Sequence, residues 1–240
     1  MCSPDWKQRL IISVAIAALC IAGFVLRLAQ SRGWGLTHFD EGIYALAATW
    51  ITSPRGLAGI NPRLIPYAPP LFVILAGWAN LILGIGAGPP ILVSLLAAAA
   101  TIPVVYFLGR RVGGPATGIA AASCAAWSGP HVAFSGMALV DCLALLAWCL
   151  ALLAAFSFLD RPGPVRAILL GLAVGAAQLA KYSGFLSGLI VAAAALAGLV
   201  VPSERSRSRA MLLWGLLAVV AAGLLYLPWF QFVEAHGGYA

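Results

Sequence analysis

Pro69-Pro70-Leu71-Phe72-Val73-Ile74-Leu75-Ala76-Gly77-Trp78-Ala79-Asn80-Leu81-Ile82-Leu83 decides the fold. A helix that crosses a bilayer needs about 20 mostly apolar residues. The firmly apolar part here, Leu71 to Leu83, has only thirteen. It is bounded by two prolines and by Gly84-Ile85-Gly86-Ala87-Gly88. This spacing predicts a helix that lies in the interface or re-enters on one side. Seven other apolar segments are long enough to read as crossings, roughly 10–29, 90–109, 115–131, 137–159, 167–181, 183–201 and 210–230. If residues 69–86 crossed too, every basic loop after the first would fall outside. Left at the surface, they bring Lys7/Arg9, Arg110/Arg111, Arg161/Arg166 and Arg205/Arg207/Arg209 to one side. Lys and Arg accumulate in cytoplasmic loops, so that side is read as the cytoplasm. The N-terminus is then inside and the C-terminus outside. Segment 167–181 is short for a full crossing, but the basic loops around it require an even number of passes.

Composition agrees. The chain has 240 residues, 62% hydrophobic and 9% charged, with a mean hydropathy of +1.00. Soluble domains carry about 25% charged residues. A soluble enzyme, a disordered chain and a secreted disulfide domain are excluded. The expected fold is an all-α polytopic membrane protein of about seven transmembrane helices, with external juxtamembrane helices. It reads as one module over 1–240, whose first external region spans about 30–90. The formal charge of +7 records orientation and gives no support to nucleic-acid binding. Cys2, Cys20, Cys124, Cys142 and Cys149 show no CxxC or zinc spacing and read as small apolar packers. The apolar run after Lys7 and Arg9 is longer than a signal-peptide core of about 7–15 residues, so it reads as an uncleaved first helix. Small-residue runs such as Ala97–Ala100 and the Gly171/Gly175 pair point to close helix packing.

The external face is where chemistry is expected. The longest hydrophilic stretch, about 30–68, holds His38-Phe39-Asp40-Glu41, Arg32, Arg55, Asn61, Arg63 and Tyr67. Residues 42–51 read as a short amphipathic helix with Asp40 or Glu41 in its first turn, where the helix dipole favours a carboxylate. Two adjacent carboxylates at a membrane face suit general-base work or a divalent cation; a helix cap plus a solvated charge is the plainer alternative. Asp141 opens a strongly apolar helix on the same side, as a functional edge carboxylate or as a cap. Lys181 arrives there too, either snorkelling to headgroups or binding a phosphate. His131, beside Gly129-Pro130, is a candidate metal or substrate ligand or a structural histidine. His38 and His236 carry the same two readings. Topology thus gathers Asp40, Glu41, Asp141 and Lys181 on one face. No GxSxG, Walker A, HExxH or dinucleotide motif is present.

His38-Phe39-Asp40-Glu41-Gly42-Ile43-Tyr44-Ala45 resembles the acidic motif of the C-type membrane glycosyltransferases, most closely the protein O-mannosyltransferase and aminoarabinose transferase group. Tyr67-Ala68-Pro69-Pro70-Leu71 is similar to that family's Pro-Pro-Leu motif. Leu108-Gly109-Arg110-Arg111-Val112-Gly113-Gly114 resembles its cytoplasmic turn, and Ala138-Leu139-Val140-Asp141 its second acidic motif. Gly171 to Lys181 looks like its later Gly-rich helix, and Pro228-Trp229-Phe230 like a recurring helix end. The resemblance covers nearly the whole chain and implies an inverting transfer of a hexosyl or pentosyl group from a polyprenyl-phosphate donor to an acceptor hydroxyl. By carry-over, Asp40 is the base, with Glu41 as its catalytic neighbour. Glu41 and Asp141 orient the acceptor or bind a metal. Lys181 or Arg63 offsets the leaving phosphate, and His38 and Tyr67 fall among the substrate-binding residues. The cofactor stays open: a divalent metal would find candidate ligands in Asp40, Asp141 and His131. The family's usual Arg is replaced by the apolar run Ile91-Leu92-Val93-Ser94-Leu95. The chain also stops where such proteins usually continue, so a C-terminally truncated module or half of a split enzyme is expected.

The expected partners are the lipid-linked sugar, a lipid or protein acceptor, and the plasma (inner) membrane, with the active face external or periplasmic. Two other classes stay open, a transporter or channel subunit and a non-catalytic partner of a full-length transferase. Transporters put ionisable residues near the midplane, whereas here they gather at one surface. In the seven-crossing arrangement nine basic and three acidic residues lie inside, against five basic and four acidic outside.

Overall fold

A computed structural model describes residues 6–31, 35–53 and 70–238. Among them the fold is all-α. The helices are α1 (Trp6–Ser31), α2 (Phe39–Thr52), α3 (Pro70–Leu83), α4 (Gly88–Trp127), α5 (Gly129–Ser135), α6 (Asp141–Asp160), α7 (Pro164–Ala180), α8 (Leu186–Leu199) and α9 (Arg205–Ala235). Four of these, α1, α4, α6 and α9, are long and apolar enough to cross a membrane, while α3, α7 and α8 are shorter apolar helices of 10–17 residues. The protein is therefore a polytopic membrane protein with several shorter helices beside the long ones. The expected non-crossing segment forms α3, and the expected amphipathic helix forms α2.

Helix α4 is two legs rather than one rod. Gly113 and Gly114 leave helical geometry, and Gly114 has φ +85°, a conformation natural only to glycine. Pro115 follows, where a proline suits a new helix start. The legs run antiparallel. Ile102 and Tyr106 share one cluster with Ala122 and Ala126, and Ile12, Ile16 and Leu19 of α1 pack against it. Gly118 lies so close to Tyr106 that a Cβ there would meet the tyrosine ring at 2.9 Å.

The chain shuttles between two ends of the bundle. Ser94, near the start of α4, donates to the Leu139 carbonyl just before α6 (2.9 Å). At the opposite end Arg111, on the first leg of α4, donates to Phe156 O near the end of α6 (3.1 Å) and pairs with Asp160. Arg207 of α9 donates to Leu159 O from the other side (2.8 Å). Leu159 O is one of the last carbonyls of α6, which the helix itself leaves without a partner, and Arg207 satisfies it. α7 then returns to the first end, α8 goes back and α9 returns again. Small residues permit this: a Cβ on Gly175 would sit 3.1 Å from Leu225 of α9. Ala155, Phe158, Ala167, Leu170, Val191, Ala195, Met211 and Ala218 fill the core between α6, α7, α8 and α9. A second core joins Ala48 of α2, Phe72 and Ala76 of α3, Ala97 of α4, Leu143 of α6 and Ala177 of α7. The rims of α1 and α9 stay apolar and exposed, as at Ile11, Val14, Leu216 and Val219, which suits lipid contact.

Candidate active site

Asp40, Glu41, Asp141 and Lys181 all lie at the end opposite the arginines, but their environments differ sharply. His38 caps α2. Its ring Nδ1 accepts from Asp40 N–H (3.2 Å), so the ring is the Nε2–H tautomer. Its own N–H donates to Glu41 Oε2 (2.8 Å). This reciprocal pair satisfies donors that the helix start leaves open.

Glu41 is 1% exposed. Its Oε2 also accepts from Thr37 N–H (2.9 Å) and Thr37 Oγ1 (3.2 Å). Its Oε1 accepts from Ala138 N–H across 97 residues of chain (2.8 Å). Burial pushes this carboxyl up, but the hydrogen bonds from Ala138, His38 and Thr37 outweigh it and hold the group below its ordinary value. Glu41 therefore ties the start of α2 to the turn before α6, with both oxygens occupied.

Asp40 points the other way. It is exposed, the His38 ring lies 3.8 Å away, and no Lys or Arg among the described residues pairs with it. Asp141, in the first turn of α6, pairs with Lys181 Nζ at 2.9 Å, and both side chains are roughly half-exposed. Lys181 ends α7, with its N–H bonded to Ala177 O (3.0 Å).

Tyr44 lies within electrostatic reach of both Asp40 and Asp141. It stands one helical turn after Asp40, on the same face of α2, with its ring edge-on to Phe72 at 5.7 Å. Burial pushes its phenol up to about 12, helped by the charges of Asp40, Asp141 and Tyr182. Tyr44 thus stays a neutral phenol. Below it Trp229 donates to Tyr182 Oη (3.4 Å), and Trp50 of α2 packs with them. An apolar cavity of about 600 Å³ runs from this end between α7, α8 and α9, lined by Gly171, Gln178, Gly215, Gly223 and Tyr226 among others.

Two further polar residues are buried. His131, read as a metal or substrate ligand or as a structural histidine, is buried, and its Nδ1 accepts a hydrogen bond from Arg27 (2.9 Å). Arg27, one of the five basic residues that the seven-crossing arrangement puts on the outer side, is fully buried. The available signal was a charge inside an apolar helix. Arg63 and Tyr67 lie outside the described residues. Among the described residues no group of three or more His, Cys, Asp or Glu side chains is placed to hold a metal.

Apolar helices of a polytopic membrane protein thus carry acid, lysine and tyrosine side chains to one edge. Residues 67–229 match the family described as dolichyl-phosphate-mannose-protein mannosyltransferase. That is more than half of the chain, and the chain belongs to this family. The matched stretch contains α3, Asp141 and Lys181 and begins after Asp40 and Glu41. Comparison with curated proteins gave no match.

Proposed function

We propose that residues 1–240 act as one inverting glycosyltransferase module that uses a polyprenyl-phosphate sugar at the outer face of the plasma (inner) membrane. The observation that carries this reading is the exposed Asp40, unpaired with any described Lys or Arg, at the same end as the Asp141–Lys181 pair in a chain of this family. Asp40 takes the proton of an acceptor hydroxyl. The acceptor oxygen bonds to the anomeric carbon from the face opposite the phosphate. The carbon–oxygen bond to phosphate breaks, and its electron pair leaves with polyprenyl phosphate. Lys181 exchanges part of its contact with Asp141 for the leaving phosphate, supplying positive charge where negative charge grows. Tyr44 donates a hydrogen bond without ionising. Glu41 positions Asp40 and does not react. The cavity between α7, α8 and α9 fits an apolar tail whose head lies near Lys181.

The same reading takes the two legs of α4, together with α1, α6, α7, α8 and α9, as seven crossings with the N-terminus in the cytoplasm. Support comes from the arginines gathered at the end opposite Asp40. The short helices α7 and α8 cross with little tilt or beside a locally thinned bilayer. The acceptor is a lipid or protein hydroxyl. The test is incubation of membranes containing the chain with radiolabelled polyprenyl-phosphate sugars. Transfer with inverted anomeric configuration, read by NMR of the product, is expected. No transfer, or retained configuration, overturns the reading.

A further inference from the structure

Arg27 is the largest fully buried side chain among the described residues, and no carboxylate among them meets it. Its Nη1 donates to Gly23 O of its own helix (2.9 Å) and to Ala126 O (3.0 Å). Its Nη2 donates to Ala125 O (2.8 Å) and to His131 Nδ1 (2.9 Å). A buried ion without a counter-ion is a poor stabiliser, and an apolar residue of similar volume is often as good. Packing alone gives no reason for an arginine here. What only a guanidinium does is hold several acceptors at once in a fixed plane. The acceptors are two carbonyls from the last turn of α4, one from α1 and the imidazole of α5.

These contacts lead to the candidate site along a short path. α5 ends at Ser135, and Gly136 comes so close to α1 that a Cβ there would lie 3.6 Å from Ser31 Cα. The next residues carry the contacts already described: Ala138 N–H to Glu41, Leu139 O from Ser94, and then Asp141. α5 and the 136–140 turn therefore hang from three anchors: Arg27 on α1, Glu41 on α2 and Ser94 on α4. Glu41 stands beside Asp40, and Asp141 closes the turn.

We propose that Arg27 is a positioning residue: through α4, His131 and the 136–140 turn it sets the placement of Asp40 against Asp141. The inference rests on the reading of Asp40 as the base, but its test has an arm independent of activity. Cys142, next to Asp141, is 2% exposed, and Cys149, two turns further along α6, is 6% exposed. Chains retaining only Cys142 or only Cys149 are labelled with a small thiol reagent in nanodiscs. Arg27→Met is expected to speed labelling of Cys142 about ten-fold, the size of one lost charge-assisted hydrogen bond, and to leave Cys149 unchanged. Arg27→Lys behaves similarly, because an ammonium lacks the planar fork. His131→Gln, whose amide oxygen still accepts from Arg27, stays near the parent rate. In sugar transfer Arg27→Met lowers kcat and keeps the KM for donor. Unchanged Cys142 labelling overturns the proposal. So does labelling that rises at both cysteines, which marks a general packing defect. A change in KM alone, or an unchanged kcat, also overturns it. A parent chain that transfers no sugar sinks the proposed function, while the labelling arm still judges the clamp.

Discussion

Replacing Glu41 with alanine should cost far more stability than the same change at its neighbour Asp40. The buried carboxylate accepts from three backbone N–H groups, those of Thr37, His38 and Ala138, and from the Thr37 hydroxyl. Thr37 is exposed, so water replaces those two contacts at little cost. His38 N–H is a helix-cap donor, and losing such a partner costs about 1 kcal/mol. Ala138 N–H is buried, and leaving a donor there without its charged partner costs about 2 kcal/mol. The total is about 3 kcal/mol, which for a chain of this size lowers Tm by about 6–12 °C. Glu41→Gln keeps one acceptor oxygen and turns an NH₂ toward a donor at the other end, for a loss of about 1.5–3 kcal/mol. Asp40→Ala removes an exposed group and should stay within about 0.5 kcal/mol. The assay is thermal unfolding in detergent, followed by tryptophan emission. A Tm for Glu41→Ala within the error of the Asp40→Ala value would refute the staple.

Three further outcomes follow from the same geometry. Glu41 has a depressed folded pKa, so its stabilisation is full above the unfolded carboxyl value of about 4.3. It is lost as pH falls below that through the folded value; unfolding midpoints below pH 4 should drop more steeply for the parent than for Glu41→Gln. Tyr44, pushed up to about 12, should be the last accessible step in an ultraviolet titration of phenolate. Tyr44→Phe removes that step, whereas a missing absorbance change near pH 12 contradicts its placement within reach of two acids. A Cβ added at Gly215 or Gly223 meets nothing within 4 Å, so Gly223→Leu should keep or slightly raise stability, by up to about 1 kcal/mol of helix propensity. Filling the cavity should raise the KM for long-tailed donors with kcat kept; unchanged kinetics with Gly215→Leu and Gly223→Leu together would remove the tail from that cavity.

Much of this arrangement is legible in the sequence because membranes impose few rules and impose them strictly. The short run Leu71–Leu83 and the basic clusters around Arg110, Arg161 and Arg205 carry the proposed topology, since apolar length and positive charge are what a bilayer reads. Once parity is set, Asp40, Asp141 and Lys181 meet at one end as expected. The break at Gly113-Gly114 is visible too, as a glycine pair before a proline. What stays hidden is anything a side chain does to distant backbone. Glu41 beside Asp40 reads as a second catalytic acid because its Ala138 partner is an N–H that every residue but proline carries. Arg27 reads as an outer charge because nothing at positions 125 and 126 marks two alanines whose carbonyls accept from a guanidinium. The relation of Tyr44 to Asp141 exists only after α2, α3 and α6 have packed.

The division of labour between the adjacent acids is the centre of the account, and Asp40→Asn measures it directly. Membranes holding the parent should transfer labelled sugar from a polyprenyl-phosphate donor. The variant should lose about 10²–10⁴-fold in kcat, the usual worth of a positioned base, while unfolding at the parent temperature. An Asp40→Asn chain that transfers sugar at the parent rate would contradict the account.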